Sequence, residues 1–239
     1  MRRSIEGIDL NIVKGFQNLS APTKDGLAAS SVLYSLADRE TLYYQGDKAE
    51  AFYFVLEGGV RLVEHMIESA PVNLKVYGAG DSFGLLAISG SFAHPSEVTA
   101  IGPTHIGAIN GQDARALVEQ YPDFGLAIVD MLVKHIHHAH SRLGQMMADR
   151  ADRRLARALL TYADKFGRAN EKGQILIDAP LTQADIAQFT GVSTETVNRM
   201  LKQLEKQGLL AARNPLCICN RDELAKLAGS DQFYSAALK

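Results

Sequence analysis

The sequence predicts an α+β chain in three parts: an N-terminal antiparallel β-barrel or jelly roll, a long helix, and a C-terminal winged helix-turn-helix. Three observations carry this. Residues 40–110 break into short β-rich runs punctuated by glycine. Residues 123–148 hold apolar side chains that alternate three and four positions apart. Residues 181–210 divide into two short amphipathic segments around a Gly-Val-Ser turn. The expected boundaries are 1–122 for a sensing barrel, 123–149 for the long helix and a hinge, and 150–239 for the winged part.

Residues 1–38 show only a weak helical pattern, with Ile8, Ile12, Val13 and Phe16 as an amphipathic turn or two. Strand-like runs then follow at 41–44, 51–56, 60–64, 72–77, 97–101 and 105–109. Between them stand the turns Gln45-Gly46-Asp47, Glu57-Gly58-Gly59 and Gly78-Ala79-Gly80-Asp81. Many short strands at regular spacing imply a small barrel.

Helical signals return at 112–120, stop at Tyr121-Pro122 and restart at Asp123. Val129, Leu132, Ile136, Ala139, Leu143 and Met146 then form an apolar stripe with coiled-coil spacing. Such a stripe either packs on the chain's own barrel or meets a partner helix. A barrel that already closes its own core favours the partner, and hence a homodimer. Residues 149–152 are polar and form the candidate hinge before the next helix, 153–166.

Within 181–210, Thr182 stands in capping position with Asp185 three residues on, and Gly191 and Ser193 make the turn and the next cap. Val197, Leu201 and Leu204 share one face of the second segment. Thr194, Glu195, Asn198, Arg199 and Lys202 share another. Arg and Asn match guanine and adenine edges in the major groove, and Glu accepts from cytosine. With Thr182, Gln183, Ser193 and Thr196 these make the candidate DNA-binding set. The bland alternative is a helical hairpin whose polar face is merely wet. Apolar runs at 209–212 and 216–219 around Arg213-Asn214-Pro215 argue for a wing and against that alternative.

Composition agrees. The 239 residues are 46% hydrophobic and carry a net charge of −2. Residues 150–239 hold 14 Lys/Arg against 10 Asp/Glu, whereas residues 1–149 hold 11 against 17. A basic C-terminal part suits a phosphate partner. No run is apolar enough to span a bilayer and no signal-peptide pattern follows Arg2-Arg3, so a cytoplasmic protein without membrane contact is expected. The only cysteines are Cys217 and Cys219. On one strand face they would lie about 7 Å apart, too far for an easy disulfide. Two thiols cannot hold an iron–sulfur cluster in one chain, so packing is their expected role. No Ser/His/Asp set, carboxylate pair or phosphate loop stands at useful spacing, so no enzyme is expected.

The order of parts resembles the superfamily of the cyclic-AMP receptor protein and the fumarate–nitrate regulator (CRP/FNR). The resemblance runs from about residue 35 to 218. It is carried by Gln45-Gly46-Asp47, Tyr53-x-x-Leu56-x-Gly58, Gly80-Asp81-x-Phe83-Gly84 and Val192-Ser193-x-Glu195-Thr196-Val197-x-Arg199. It implies a dimeric transcription regulator with a cyclic-nucleotide-binding-type barrel, an inverted-repeat operator in double-stranded DNA, and RNA polymerase as a partner. It also implies a small-molecule effector pocket at Phe83, Gly84, Leu85, Leu86, His94, Pro95 and Ser96, with Ala139 and His140 of the long helix.

The pocket departs from the family. Cyclic-nucleotide binders carry Glu where this chain has Leu85, and Arg followed by Ser or Ala where it has His94-Pro95. A neutral imidazole does not replace an arginine that grips a cyclic phosphate in two places. The expectation is therefore a more apolar pocket and an effector other than cyclic AMP. His135, His137, His138 and His140 lie on the long helix, with His140 and His135 flanking the stripe. Imidazole ligates haem iron, which makes His140 and His94 candidate ligands and haem a candidate cofactor, although such runs are usually just half-exposed histidines. The competing function is a small-molecule or haem-binding module whose C-terminal part contacts protein instead of DNA.

Overall fold

Short runs of β-branched and aromatic residues, each stopped by glycine, pair into sheets in the first half of the chain. The computed structural model describes residues 3–4, 9–66, 71–90, 92–213 and 215–229, with backbone alone at 3–4, 145–148 and 213. Ile8, Asn214 and the side chain of Met146 thus lie outside the described residues.

Strand β1 (Arg3–Ser4) is followed by a 3-10 turn at Leu10–Ile12, α1 (Ala21–Ala29) and β2 (Ser31–Leu36). Next come β3 (Thr41–Tyr43), β4 (Ala51–Glu57), β5 (Gly59–Glu64), β6 (Val72–Gly78), β7 (Ser82–Phe83) and α2 (Leu86–Ser89). β8 (Glu97–Ala100), β9 (Thr104–Asn110) and α3 (Gly111–Gln120) complete the barrel and lead into α4 (Pro122–Ala148). One sheet has the order β1-β2-β9-β4-β7 and the other β3-β8-β5-β6.

The sequence pattern gave only a weak helical sign over 1–38, where α1 lies, and none of β2. β2 pairs antiparallel with β9 from Ser31↔Ile109 to Leu36↔Thr104, so its partner is some seventy residues away and leaves no local trace. β4 divides two cores by simple alternation. Phe52 and Phe54 face a helix-side core with Val13, Phe16, Leu27, Ile109 and Phe124. Tyr53 and Val55 face the barrel interior with Tyr43, Tyr77, Phe83, Val98 and Ile106.

Only the start of α4 packs on this core, through Phe124, Ala127 and Ile128. From Leu132 to His140 every residue is exposed. The chain divides into two compact units, residues 1–67 with 77–142 and residues 68–76 with 143–239.

α4 ends at Ala148 and α5 (Ala151–Phe166) begins two residues later than the gap opens, so the helix starts earlier than the polar run 149–152 suggested. α5 buries Leu155, Leu159 and Tyr162. Then follow β10 (Gly167–Ala169), β11 (Ile175–Ile177), α6 (Gln183–Thr190), α7 (Thr194–Lys206), β12 (Leu210–Arg213), β13 (Leu216–Ile218) and α8 (Arg221–Leu227). β12 and β13 form the hairpin, but it sits at the edge of a four-stranded sheet, β10-β11-β13-β12. The short strands β10 and β11 lack the alternation that would have announced them.

Candidate DNA-reading helix, helix junction and barrel interior

The turn between α6 and α7 is built from reciprocal caps. Thr182 Oγ1 accepts from the Asp185 N–H at 3.2 Å, and Asp185 Oδ2 accepts from the Thr182 N–H at 2.8 Å. Gly191 then takes a left-handed conformation, φ 68°, which a side chain would strain. Ser193 Oγ accepts from the Thr196 N–H at 3.2 Å and starts α7. Val197, Leu201 and Leu204 are buried and fix its rotation, each contributing about 1.5–3 kcal/mol. The opposite face is left in water: Thr194, Glu195, Arg199 and Lys202 are exposed, and Thr196 and Asn198 half-buried. Thr182 and Ser193 are exposed with their hydroxyls engaged in caps, and Gln183 is half-buried.

The junction before α5 is held by arginines. Arg157 Nε donates to Asp149 Oδ2 at 2.9 Å, with Arg153 3.9 Å from the other oxygen. The Arg154 guanidinium donates through Nη1 to the Asp149 carbonyl and through Nε to the Thr190 carbonyl, both at 2.8 Å. Thr190 closes α6, so one side chain spans from the exit of the long helix to the turn that aims α7. Sequence reasoning missed Arg154; an Arg three residues into a helix carries no local mark of what it grips.

In the barrel, Phe83 is buried between Tyr53 and Tyr77, with ring centroids 5.2 Å and 5.3 Å away. Gly84 has φ 79°, and a Cβ there would stand 2.8 Å from the Ala51 carbonyl oxygen. Leu85 turns the other way and packs on the helix-side core. Leu86 is half-buried, Pro95 exposed and Ser96 buried. His94 is only 3% exposed and lies against Tyr43. Burial lowers its pKa, with Asp47 opposing. Burial also raises the phenols of Tyr43 and Tyr77, and pushes Tyr53 up to about 12. All these groups are therefore neutral near pH 7. The structure thus brings Phe83 and His94 to the barrel interior, buries Ser96 and sends Leu85 to the other core. Tyr43, Tyr53 and Tyr77, absent from the sequence-derived set, line the interior, one each on β3, β4 and β6.

A haem does not fit at His94, whose ring is covered by Tyr43 in an interior packed with aromatic side chains. Ala139 and His140 are exposed on α4.

A barrel, a long helix and a capped reading helix on a winged sheet define a transcription regulator of the one-chain sensor type. The family model of the cyclic nucleotide-binding domain matches residues 34–121, and that of the Crp-like helix-turn-helix domain matches residues 153–227. The chain belongs to the CRP/FNR superfamily. It is 26% identical over 192 residues to the cAMP-activated global transcriptional regulator CRP of Salmonella typhimurium, covering 80% of this chain and 90% of that one. It is 24% identical over 189 residues to the CRP-like cAMP-activated global transcriptional regulator of Mycobacterium tuberculosis, covering 79% and 84%. Among solved structures, FixK2 from Bradyrhizobium japonicum has a similar fold, with TM-score 0.72, 24% identity, and 82% of this chain and 96% of that chain covered. The chain is accordingly a regulator with a DNA-binding helix-turn-helix and an effector-binding domain, and its relatives are not enzymes. That decides against a C-terminal part devoted to protein contacts. Among the described residues no helix is long and apolar enough to cross a membrane.

Proposed function

We propose that the protein works in the cytoplasm as a homodimer, binds an inverted-repeat operator, acts with RNA polymerase, and answers an effector other than cyclic AMP. The observation that carries the dimer is the bare apolar stripe along α4. Leu132, Val129, Ile136 and Leu143 are 42–60% exposed, Ala139 is exposed with them, and Leu126 and Val133 widen the stripe. Burying such a stripe in a helix pair recovers about 25 cal/mol per Å² of apolar surface. The sequence-derived division into residues 1–122, 123–149 and 150–239 suits this reading, with α4 as the shared element.

The effector reading rests on the interior described above. A cyclic phosphate needs a cation, and the groups there are the neutral His94 and three neutral phenols. An uncharged, largely apolar effector suits them better. Of the two candidate haem ligands, His94 is covered and His140 is exposed. Thr182, Gln183, Ser193, Thr194, Glu195, Thr196, Asn198, Arg199 and Lys202 form the proposed DNA contact set.

The test of the dimer is sedimentation of wild type and Leu132→Asp. A charge in a desolvated seam costs several kcal/mol. The wild type should sediment as a dimer and the variant as a monomer; an unchanged dimer in the variant would refute the seam.

A further inference from the structure

Both cysteines of the chain meet at one place, the base of the wing, and share one partner. Cys217 Sγ donates to Gln174 Oε1 at 3.6 Å, and Gln174 Nε2 donates to Cys219 Sγ at 3.5 Å. The Cys219 N–H still donates to the Leu209 carbonyl at 2.9 Å, so the two cysteines stand two residues apart on one side of the ladder, and the shared Gln174 carboxamide is what both thiols reach. The Asn170 carboxamide donates to Gln174 Oε1 at 3.0 Å and approaches Cys217 Sγ at 4.0 Å. Asn170 is itself fixed, because its Oδ1 accepts from the backbone of Lys172 and of Gln174. Neither thiol is in a disulfide. Cys217 is buried, whereas Cys219, Asn170 and Gln174 are half-buried, so the pair opens to solvent on one side.

We propose that Cys217 and Cys219 form a two-sulfur site for a thiophilic monovalent cation of the copper(I) class. Ligand number selects the ion. Among the described residues no group of three or more His, Cys, Asp or Glu is placed to hold a metal. Structural zinc takes four ligands and iron–sulfur clusters take four thiolates, so neither is served by two sulfurs. Soft thiolates select copper(I), which is content with two. On binding, two S–Cu bonds form, two thiol protons pass to solvent, and no electron moves. The site goes from neutral to a net charge of −1. Lys172, whose charge is felt at Cys217, partly offsets that. The Gln174 carboxamide, which holds both thiols through weak hydrogen bonds, releases them to the ion.

The experiment is an anaerobic competition on the full-length protein, with copper(I) supplied as its bicinchoninate complex. The wild type should withdraw one copper per chain. Cys217→Ser and Cys219→Ser should each lose it, and Gln174→Ala should keep it. A variant with His135, His137, His138 and His140 all changed to Ala should also keep it, which separates the thiols from the other copper-capable side chains. Should the serine variants unfold, wild type alkylated with iodoacetamide gives the same reading and should bind none. X-ray absorption of the loaded protein should show sulfur neighbours. No withdrawal by the wild type, withdrawal that survives alkylation, or a shell of nitrogen alone would overturn the proposal.

Discussion

The imidazole of His94 lies flat against the phenol of Tyr43, with ring centroids 3.5 Å apart and planes 9° from parallel. The contact joins the β3 strand to the loop before β8 and is reinforced by backbone bonds from His94 to Asp47 and from Gly46 to His94, at 2.7 Å and 2.8 Å. It stands where cyclic-nucleotide-binding relatives, by the resemblance, hold a charged arginine.

This stack gives the barrel a pH dependence with a definite sign. Burial holds the folded pKa of His94 below its ordinary value of 6.5. The unfolded chain therefore binds the proton first, and the stability is fully present above about pH 6.5 and lost as the pH falls from there toward the folded pKa. The chain has eight tyrosines and no tryptophan, so tyrosine emission reports on it. Urea midpoints should drop between pH 7.5 and 5.5 in the wild type and drop less in His94→Phe, which keeps the stack and removes the proton. Equal drops would show that His94 is not the titrating group.

Cyclic AMP should not bind. Calorimetry at micromolar ligand should give no heat beyond dilution. Nor should Leu85→Glu with His94→Arg restore binding, because Leu85 packs on the helix-side core and not in the barrel. The new carboxylate would be desolvated there at a cost of about 1–3 kcal/mol or more, so that double variant should melt well below wild type. Tight binding of the nucleotide to either protein would sink the pocket reading.

On α7, Glu195 and Arg199 lie one turn apart on the exposed face, with Lys202 a turn further along. Arg199→Ala should relax preference at one base pair in each half-site, by roughly 1–3 kcal/mol. Thr194 stands where many relatives, by the resemblance, carry Arg, so the outer pair should be read less strictly. Lys202→Ala should weaken all sequences alike and lower the salt slope by about one. Selection from randomised duplexes with half-sites about one helical turn apart decides between these roles. An unchanged motif from Arg199→Ala would mean that another element reads the bases.

How much of this was legible depended on how local the determinants are. The helix-turn-helix was, because Thr182, Asp185, Gly191 and Ser193 do their work within a few residues of one another. The strands 51–56 and 60–64 were, because their glycine stops are adjacent to them. The stripe on α4 was, since its spacing survives without knowledge of its cover. Features set by distant partners were not. β2 exists because β9 accepts it, and nothing between 31 and 36 says so. His94 has the chemistry of a ligand, but Tyr43, fifty-one positions earlier, covers its ring. Leu85 follows Phe83 and Gly84 into the pocket in the linear motif, yet the positive φ of Gly84 turns the chain and delivers it to the other core.

The grip of Arg154 on the carbonyls of Asp149 and Thr190 has a practical bearing on chimeras. The two residues between α4 and α5 invite a splice, since a cut there spares both helices. Any residue at 149 supplies the main-chain carbonyl that Arg154 holds, but a foreign one takes away the Asp149 carboxylate that Arg157 and Arg153 hold, and the specificity module would arrive unmoored on that side. Keeping 149–190 as one block, the Asp149 carboxylate included, preserves the mount on which the reader was set.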